Sequence, residues 1–202
     1  MRKGRKILIV GLTGGIGMGK SAAAKILRGF GLPVYEADRA VHALLRKGGK
    51  GVKPVARLFP EVFKRCAIDR KRLGQIVFGR PDKLRSLEKV LHPLVRQAEN
   101  EFLRKARKQK KSAAVLEIPL LFETGGHRRC DYVICVVAPK AIQKARVMQR
   151  RGMTAKKLKA ILARQMPDRK KRSIADFVVD TGSSYRATRK KLHNVLNTIL
   201  KD

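Results

Sequence analysis

Five short runs of apolar residues punctuate the chain, and none of them alternates with polar positions. They are Lys6 to Leu12, "VYEAD" at 34–38, "AAVLEIP" at 113–119, "DYVICVVAP" at 131–139 and "DFVVD" at 176–180. Unbroken apolar runs of this length are what strands covered on both faces of a parallel sheet require. Between them the spacing changes to that of helices. Ser21 to Gly29 reads as a helix that "GFGLP" stops, and Tyr185 to Leu200 closes the chain with Leu192, Val195, Leu196 and Ile199 on one face. Alternating strand and helix predicts an α/β fold, a parallel five-stranded sheet flanked by helices with right-handed crossovers.

Two stretches depart from that rhythm. From Arg39 to Lys111 strand signals vanish, and Leu84, Leu87, Leu91, Leu94, Ala98 and Phe102 recur at helical spacing. His92-Pro93 predicts a break or kink in that helix, because proline disfavours helical backbone in the residue before it. Lys140 to Arg172 is polar, basic and helical. The expectation is one domain over 6–202, with a nucleotide-type core of 6–38, 112–139 and 174–202, a helical insertion at 39–111 and a smaller one at 140–173. Ligands of open α/β sheets sit beyond the C-terminal strand ends, so Gly14–Ser21, Asp38 and Glu117 should converge on one crevice.

Length and composition narrow the class. The chain has 202 residues, 44% of them hydrophobic, enough for a sizeable core, and no apolar run approaches bilayer-spanning length. The basic-then-apolar start "MRKGRKILIVGL" reads as the first strand rather than a secretion signal, since it runs directly into the glycine-rich loop. Cys66, Cys130 and Cys135 form no C-x-x-C or Cys/His pair, which points to buried or neutral thiols in a reducing cytoplasm. The charge is extreme: 49 Lys and Arg against 15 Asp and Glu give +34. Runs such as "RKARKQKK" and "DRKKR" raise nucleic-acid binding as an alternative. The cations are spread along the whole chain, however, and no recognition signature accompanies them, so incidental adhesion to polyanions is the expectation.

The candidate chemistry begins at "GLTGGIGMGKSAAA". Gly14 to Ser21 fits G-x-x-x-x-G-K-[ST] between a strand and a helix, the context that makes the pattern a phosphate-cradling loop. Gly14, Gly15, Ile16, Gly17, Met18, Gly19, Lys20, Ser21 and Ala22 are therefore the ATP-binding candidates. Lys20 is placed to reach the β- and γ-phosphates, and the Ser21 hydroxyl to hold Mg²⁺. Asp38 suits a carboxylate that orients an acceptor hydroxyl or takes its proton, with helix capping as the structural alternative. Glu117 ends an apolar strand where a Mg²⁺-linked acid belongs, its alternative being an ion pair. Arg146, Arg150, Arg164 and Arg169 are candidates for neutralising charge on transferring phosphates, the first two as catalytic cations.

These pieces resemble the dephospho-coenzyme A kinase family. "GLTGGIGMGKS", "YEAD", "IDRKRLGQIVFGRP", "LHPLVR", "EIPLLFETGG", "ARQMP" and "ADFVVDTG" occur in the family's order and cover nearly the whole chain. A related small-molecule kinase, such as one acting on nucleoside monophosphates, would share the loop and lid but not "LHPL" and "PLLFE". The resemblance implies a P-loop kinase fold and transfer of the ATP γ-phosphate to the ribose 3′-hydroxyl of dephospho-CoA, with Asp38 orienting the acceptor. It implies that 39–111 contacts the CoA moiety, that 140–173 is a mobile lid, and that Thr13, His92, Pro93, Leu120, Leu121, Phe122 and Glu123 belong to the substrate site. It also implies a cytoplasmic enzyme using ATP with Mg²⁺, not bound to membranes, and a monomer or weak homo-oligomer. Glu36 and Glu117 stand where the family usually has aspartate, and Ala22 where it usually has threonine.

Overall fold

The computed structural model describes residues 7–201. Along the chain come β1 (Leu8–Thr13), α1 (Lys20–Gly29), β2 (Val34–Glu36), α2 (Ala37–Leu45) and α3 (Val52–Leu58). A short hairpin, β3 (Phe63–Lys64) and β4 (Ala67–Ile68), leads to α4 (Arg70–Val77) and the long α5 (Pro81–Lys108). There follow β5 (Ala113–Glu117), β6 (Tyr132–Val137), α6 (Lys140–Met148), α7 (Ala155–Leu162) and α8 (Asp168–Ile174). β7 (Phe177–Asp180) and α9 (Tyr185–Lys201) close the chain. The chain divides into two compact units, one running to Tyr35 and resuming at Ala106, the other spanning Glu36–Lys105.

The first unit is built on a sheet of order β2-β5-β1-β6-β7. β1 lies in parallel between β5 and β6, with Leu12 opposite Glu117 and Thr13 opposite Cys135. Ala23, Ile26 and Leu27 of α1 and Leu192, Leu196 and Ile199 of α9 bury against Val10, Leu12, Val115, Ile134 and Val136. Val133, one residue out of phase with Ile134, joins a smaller cluster with Leu121 and Phe122, onto which Met166 and Ala175 pack. Two aspartates at strand starts satisfy backbone donors of neighbouring strands. Asp131 Oδ2 accepts from Ile9 N, and Asp176 Oδ2 from Val133 N, both at 2.7 Å.

The second unit has its own core of Leu45, Val52, Val55, Phe59, Val62, Ile68, Leu73, Leu87 and Leu91. Asp69 caps α4, its Oδ1 accepting from Arg72 N at 3.0 Å. That backbone bond is the main cause holding its carboxyl below the ordinary range. One expectation fails here. The segment 39–111 is not free of strands, since β3 and β4 pair antiparallel with Phe63 opposite Ile68. Of the break or kink expected at His92-Pro93, the break is absent, since α5 runs through it. The loss of one helical bond, about 3 kcal/mol, is offset by burial of Leu87 and Leu91 on the same helix. Of the thiols, Cys66 is exposed, in the hairpin turn, and Cys135 is buried.

The second strand ends at Glu36, so Asp38 is neither a strand-end residue nor the cap of a helix starting at Arg39. The helix starts at Ala37, and Asp38 sits inside its first turn, where a carboxylate is favoured by the helix dipole. The first strand starts at Leu8; Lys6, where its start was expected, lies outside the described residues, as do the rest of the basic N-terminal stretch and Asp202.

Candidate active site

The loop from Gly14 to Lys20 connects the end of β1 to the first residue of α1. Gly17 and Gly19 have φ of 75° and 82°, in the left-handed region that side chains disfavour. Space forbids a side chain at both as well. A Cβ at Gly17 would lie 2.6 Å from Val147 Cγ2, and one at Gly19 2.6 Å from Thr181 Oγ1. Gly19 is also the N-cap position of α1 and brings no capping side chain. The donors of that first turn are those a phosphate takes at a helix N-terminus. Lys20 folds back over the loop, its Nζ donating to Gly14 O at 2.7 Å and Gly15 O at 3.1 Å.

Neutral side chains from distant segments hold the loop. Ile16 N–H donates to Gln165 Oε1 at 3.0 Å, and Gln143 Nε2 donates to Ile16 O at 2.9 Å. Thr181 Oγ1 donates to Met18 O at 3.0 Å. Arg146 in turn grips Thr181, with Nη1 3.0 Å from Oγ1 and Nη2 2.7 Å from the carbonyl oxygen. Ala138 N–H donates to Met18 Sδ. None of Gln143, Gln165 and Thr181 is a residue that the sequence singles out as part of the site. Gln165 and Thr181 lie inside "ARQMP" and "ADFVVDTG", so the motifs mark their segments; nothing marks Gln143. Beside the loop, Met18, Pro139, Lys140, Asp168, Arg169 and Arg172 line an open cleft of about 600 Å³, within the size range of small-molecule sites.

Glu117 ends β5 beside the last residues of β1 and is buried, while Ser21 is exposed in the first turn of α1. An alcohol and a carboxylate are hard oxygen donors of the kind Mg²⁺ takes. Among the described residues no group of three or more His, Cys, Asp or Glu side chains forms a metal site by itself. An ion here would therefore draw most of its ligands from phosphates and water. Burial pushes the Cys135 thiol up to about 11, which keeps it neutral.

The segment after β5 is mostly core. Leu121 and Phe122 are buried, and only Leu120 of the apolar trio is exposed. Thr13 is buried too, its hydroxyl donating to Pro119 O at 3.2 Å. Glu123 is engaged within the protein: its Oε1 accepts from Met166 N at 2.7 Å and lies 2.9 Å from Lys171 Nζ. Desolvation works to raise its pKa, yet the Lys171 and Met166 contacts outweigh it and hold the carboxyl below its ordinary range. Arg150, Arg164 and Arg169 are exposed, whereas Arg146 is half-buried. In the second unit Asp38 is exposed in the first turn of α2, and His92 and Pro93 are exposed on α5. Glu36 pairs with Arg39 at 3.3 Å.

The sequence model of the dephospho-CoA kinase family matches residues 8–186. A protein named dephospho-CoA kinase from Paramagnetospirillum magneticum is 54% identical over 164 residues, covering 81% of this chain and 77% of that protein. One of the same name from Brucella melitensis is 45% identical over 190 residues, covering 94% of each. Among solved structures, TT1252 from Thermus thermophilus superposes with a TM-score of 0.85 at 34% identity, covering 96% of this chain and 98% of that one.

Proposed function

The chain belongs to the dephospho-CoA kinase family, and from that premise we propose how its residues carry the reaction. The enzyme phosphorylates the ribose 3′-hydroxyl of dephospho-CoA with ATP, giving coenzyme A in the last step of its biosynthesis. The acceptor oxygen forms a bond to the γ-phosphorus, and the bond from that phosphorus to the bridging oxygen of ADP breaks. Asp38 orients the acceptor hydroxyl and takes its proton. Lys20 exchanges two neutral carbonyl acceptors for phosphate oxygens that carry full charge, a stronger partner for an ammonium. The backbone from Gly14 to Ala22 cradles the phosphates. Arg146, anchored through Thr181 to the loop it serves, and Arg150 add positive charge as negative charge shifts toward ADP. Ser21 and Glu117 would hold the Mg²⁺ that accompanies ATP, which would supply further charge neutralisation. His92, Pro93, Leu120 and the backbone around Glu123 take part in binding the acceptor.

The observation that carries the nucleotide half of this reading is Lys20 resting on the Gly14 and Gly15 carbonyls at a complete phosphate loop. The acceptor is tested by ATP consumption with dephospho-CoA, AMP, CMP and a nucleic acid offered in parallel. ADP should form with dephospho-CoA alone; equal turnover with AMP or CMP overturns the assignment. We infer from the family's role that the reaction takes place in the cytoplasm. The +34 charge supports a secondary, non-specific adhesion to polyanions, indifferent to sequence and lost steeply as salt rises.

A further inference from the structure

Lys171 is completely buried, and among the described residues its cation pairs with the carboxylate of Glu123. A buried ion pair of this kind adds little stability over apolar side chains of the same volume, so stability alone does not explain it. What an apolar pair would not supply is an acceptor for Met166 N, which donates to the same Glu123 oxygen at 2.7 Å. Met166 is the neighbour of Gln165, and Gln165 Oε1 is the acceptor of Ile16 N–H in the phosphate loop. The turn is pressed close to that loop: a Cβ on Gly15 would lie 3.4 Å from Gln165 Oε1 and 3.1 Å from Asp168 Oδ1. Fixing Met166 N thus fixes where the Gln165 side chain starts, and with it the acceptor that sets the Ile16 peptide.

We propose that Glu123 and Lys171 are positioning residues which, through Met166 and Gln165, hold the tip of the phosphate loop in its ATP-binding conformation. Glu123 then serves the nucleotide side of the reaction rather than touching the acceptor with its charge. The role rests on ATP binding at this loop, as proposed above, but not on the identity of the acceptor.

The test is calorimetric titration of the full chain with Mg²⁺–ATP and no acceptor, alongside steady-state turnover with dephospho-CoA. Glu123→Leu combined with Lys171→Met fills the same space without stranding a charge. It should raise the ATP Kd about tenfold, as should Gln165→Ala alone. The triple variant should be no worse than either, because both changes cut one linkage. Glu123→Gln with Lys171→Met keeps an acceptor for Met166 N and should bring the Kd back to within about twofold of the parent. A triple variant weakened about a hundredfold, the sum of independent effects, overturns the linkage. So does an unchanged Kd in Gln165→Ala, which needs no change at the buried pair, or an unchanged Kd with a raised KM for dephospho-CoA in the Glu123 variants. Failure of the parent to phosphorylate dephospho-CoA while this coupling holds would refute the acceptor assignment and leave the brace standing.

Discussion

Lys20 and Lys171 are both held by protein oxygen, and the two regions around them use that oxygen in opposite ways. Lys20 Nζ rests on the carbonyls of Gly14 and Gly15, neutral acceptors for a charged donor. Lys171 Nζ sits out of solvent, 2.9 Å from a full negative charge, and removing either partner leaves the other uncompensated. One lysine stands at the phosphate loop, and the other is part of the frame. In a chain with 49 Lys and Arg, the held oxygen rather than the cation itself separates working charge from structural charge.

The largest effects should appear where charge stands at the phosphate loop. Lys20→Ala should lower turnover at least about a thousandfold, while its melting temperature stays within about 3 °C of the parent. A protein that melts far lower yet turns over normally would put Lys20 in the frame beside Lys171. Asp38→Asn comes next, since it keeps the shape and removes the charge. Turnover should fall about a hundredfold or more, with ATP affinity unchanged by calorimetry. If only the melting temperature fell, the carboxylate would be serving the α2 dipole and not the acceptor.

How much of this was legible depends on whether a feature speaks through local pattern. The strands under the loop were legible because each is a continuous apolar run, and the loop because its spacing is rigid. The β3–β4 hairpin was not. Its strands are two residues long, and its turn puts Arg65 and Cys66 at φ of 50° and 61°, without the Asn-Gly pair that signals such a turn. At Pro93 the local penalty does not end the helix, which carries Leu87 and Leu91 into the core of the second unit. Gln143 and Thr181 escaped notice because their partners lie 127 and 163 residues away on the loop backbone, and a neutral side chain bonded to a peptide leaves no charge pattern. Glu123 was placed at the site by motif resemblance, but only the fold shows its carboxylate turned toward Lys171 and Met166.

Glu117 lies between the two extremes, because it is buried like the frame yet stands at the strand end beside the loop. If it holds Mg²⁺ as proposed, its charge matters and its length is tuning. Glu117→Asp should stay active with an altered Mg²⁺ requirement. Glu117→Gln should lose about tenfold in turnover at limiting metal, with partial recovery when metal is in excess. The three proteins are compared in one Mg²⁺ titration with dephospho-CoA as acceptor. Should Glu117→Gln track the parent throughout, Glu117 joins Glu123 as a structural acid.

The smallest effect is confined to acid and reads the frame alone. The Glu123 carboxyl is held below its ordinary value of 4.5 in the folded protein, with Lys171 and Met166 N outweighing desolvation. A depressed carboxylate contributes stability above its unfolded pKa and loses it as pH falls through the folded one. The loss should therefore begin below about pH 4.5 and grow as Glu123 takes up a proton and leaves Lys171 charged without a partner. Thermal melts of the parent and of Glu123→Gln/Lys171→Met, run side by side from neutral pH to about pH 3, isolate that contribution, because the variant has neither charge to lose. The melting temperature of the parent relative to the variant should hold steady at neutral pH and fall in the acid range. A difference that stays constant down to pH 3 would mean that the pair does not stabilise its ionised form, and Lys171 would no longer stand opposite Lys20 as the locked charge of this enzyme.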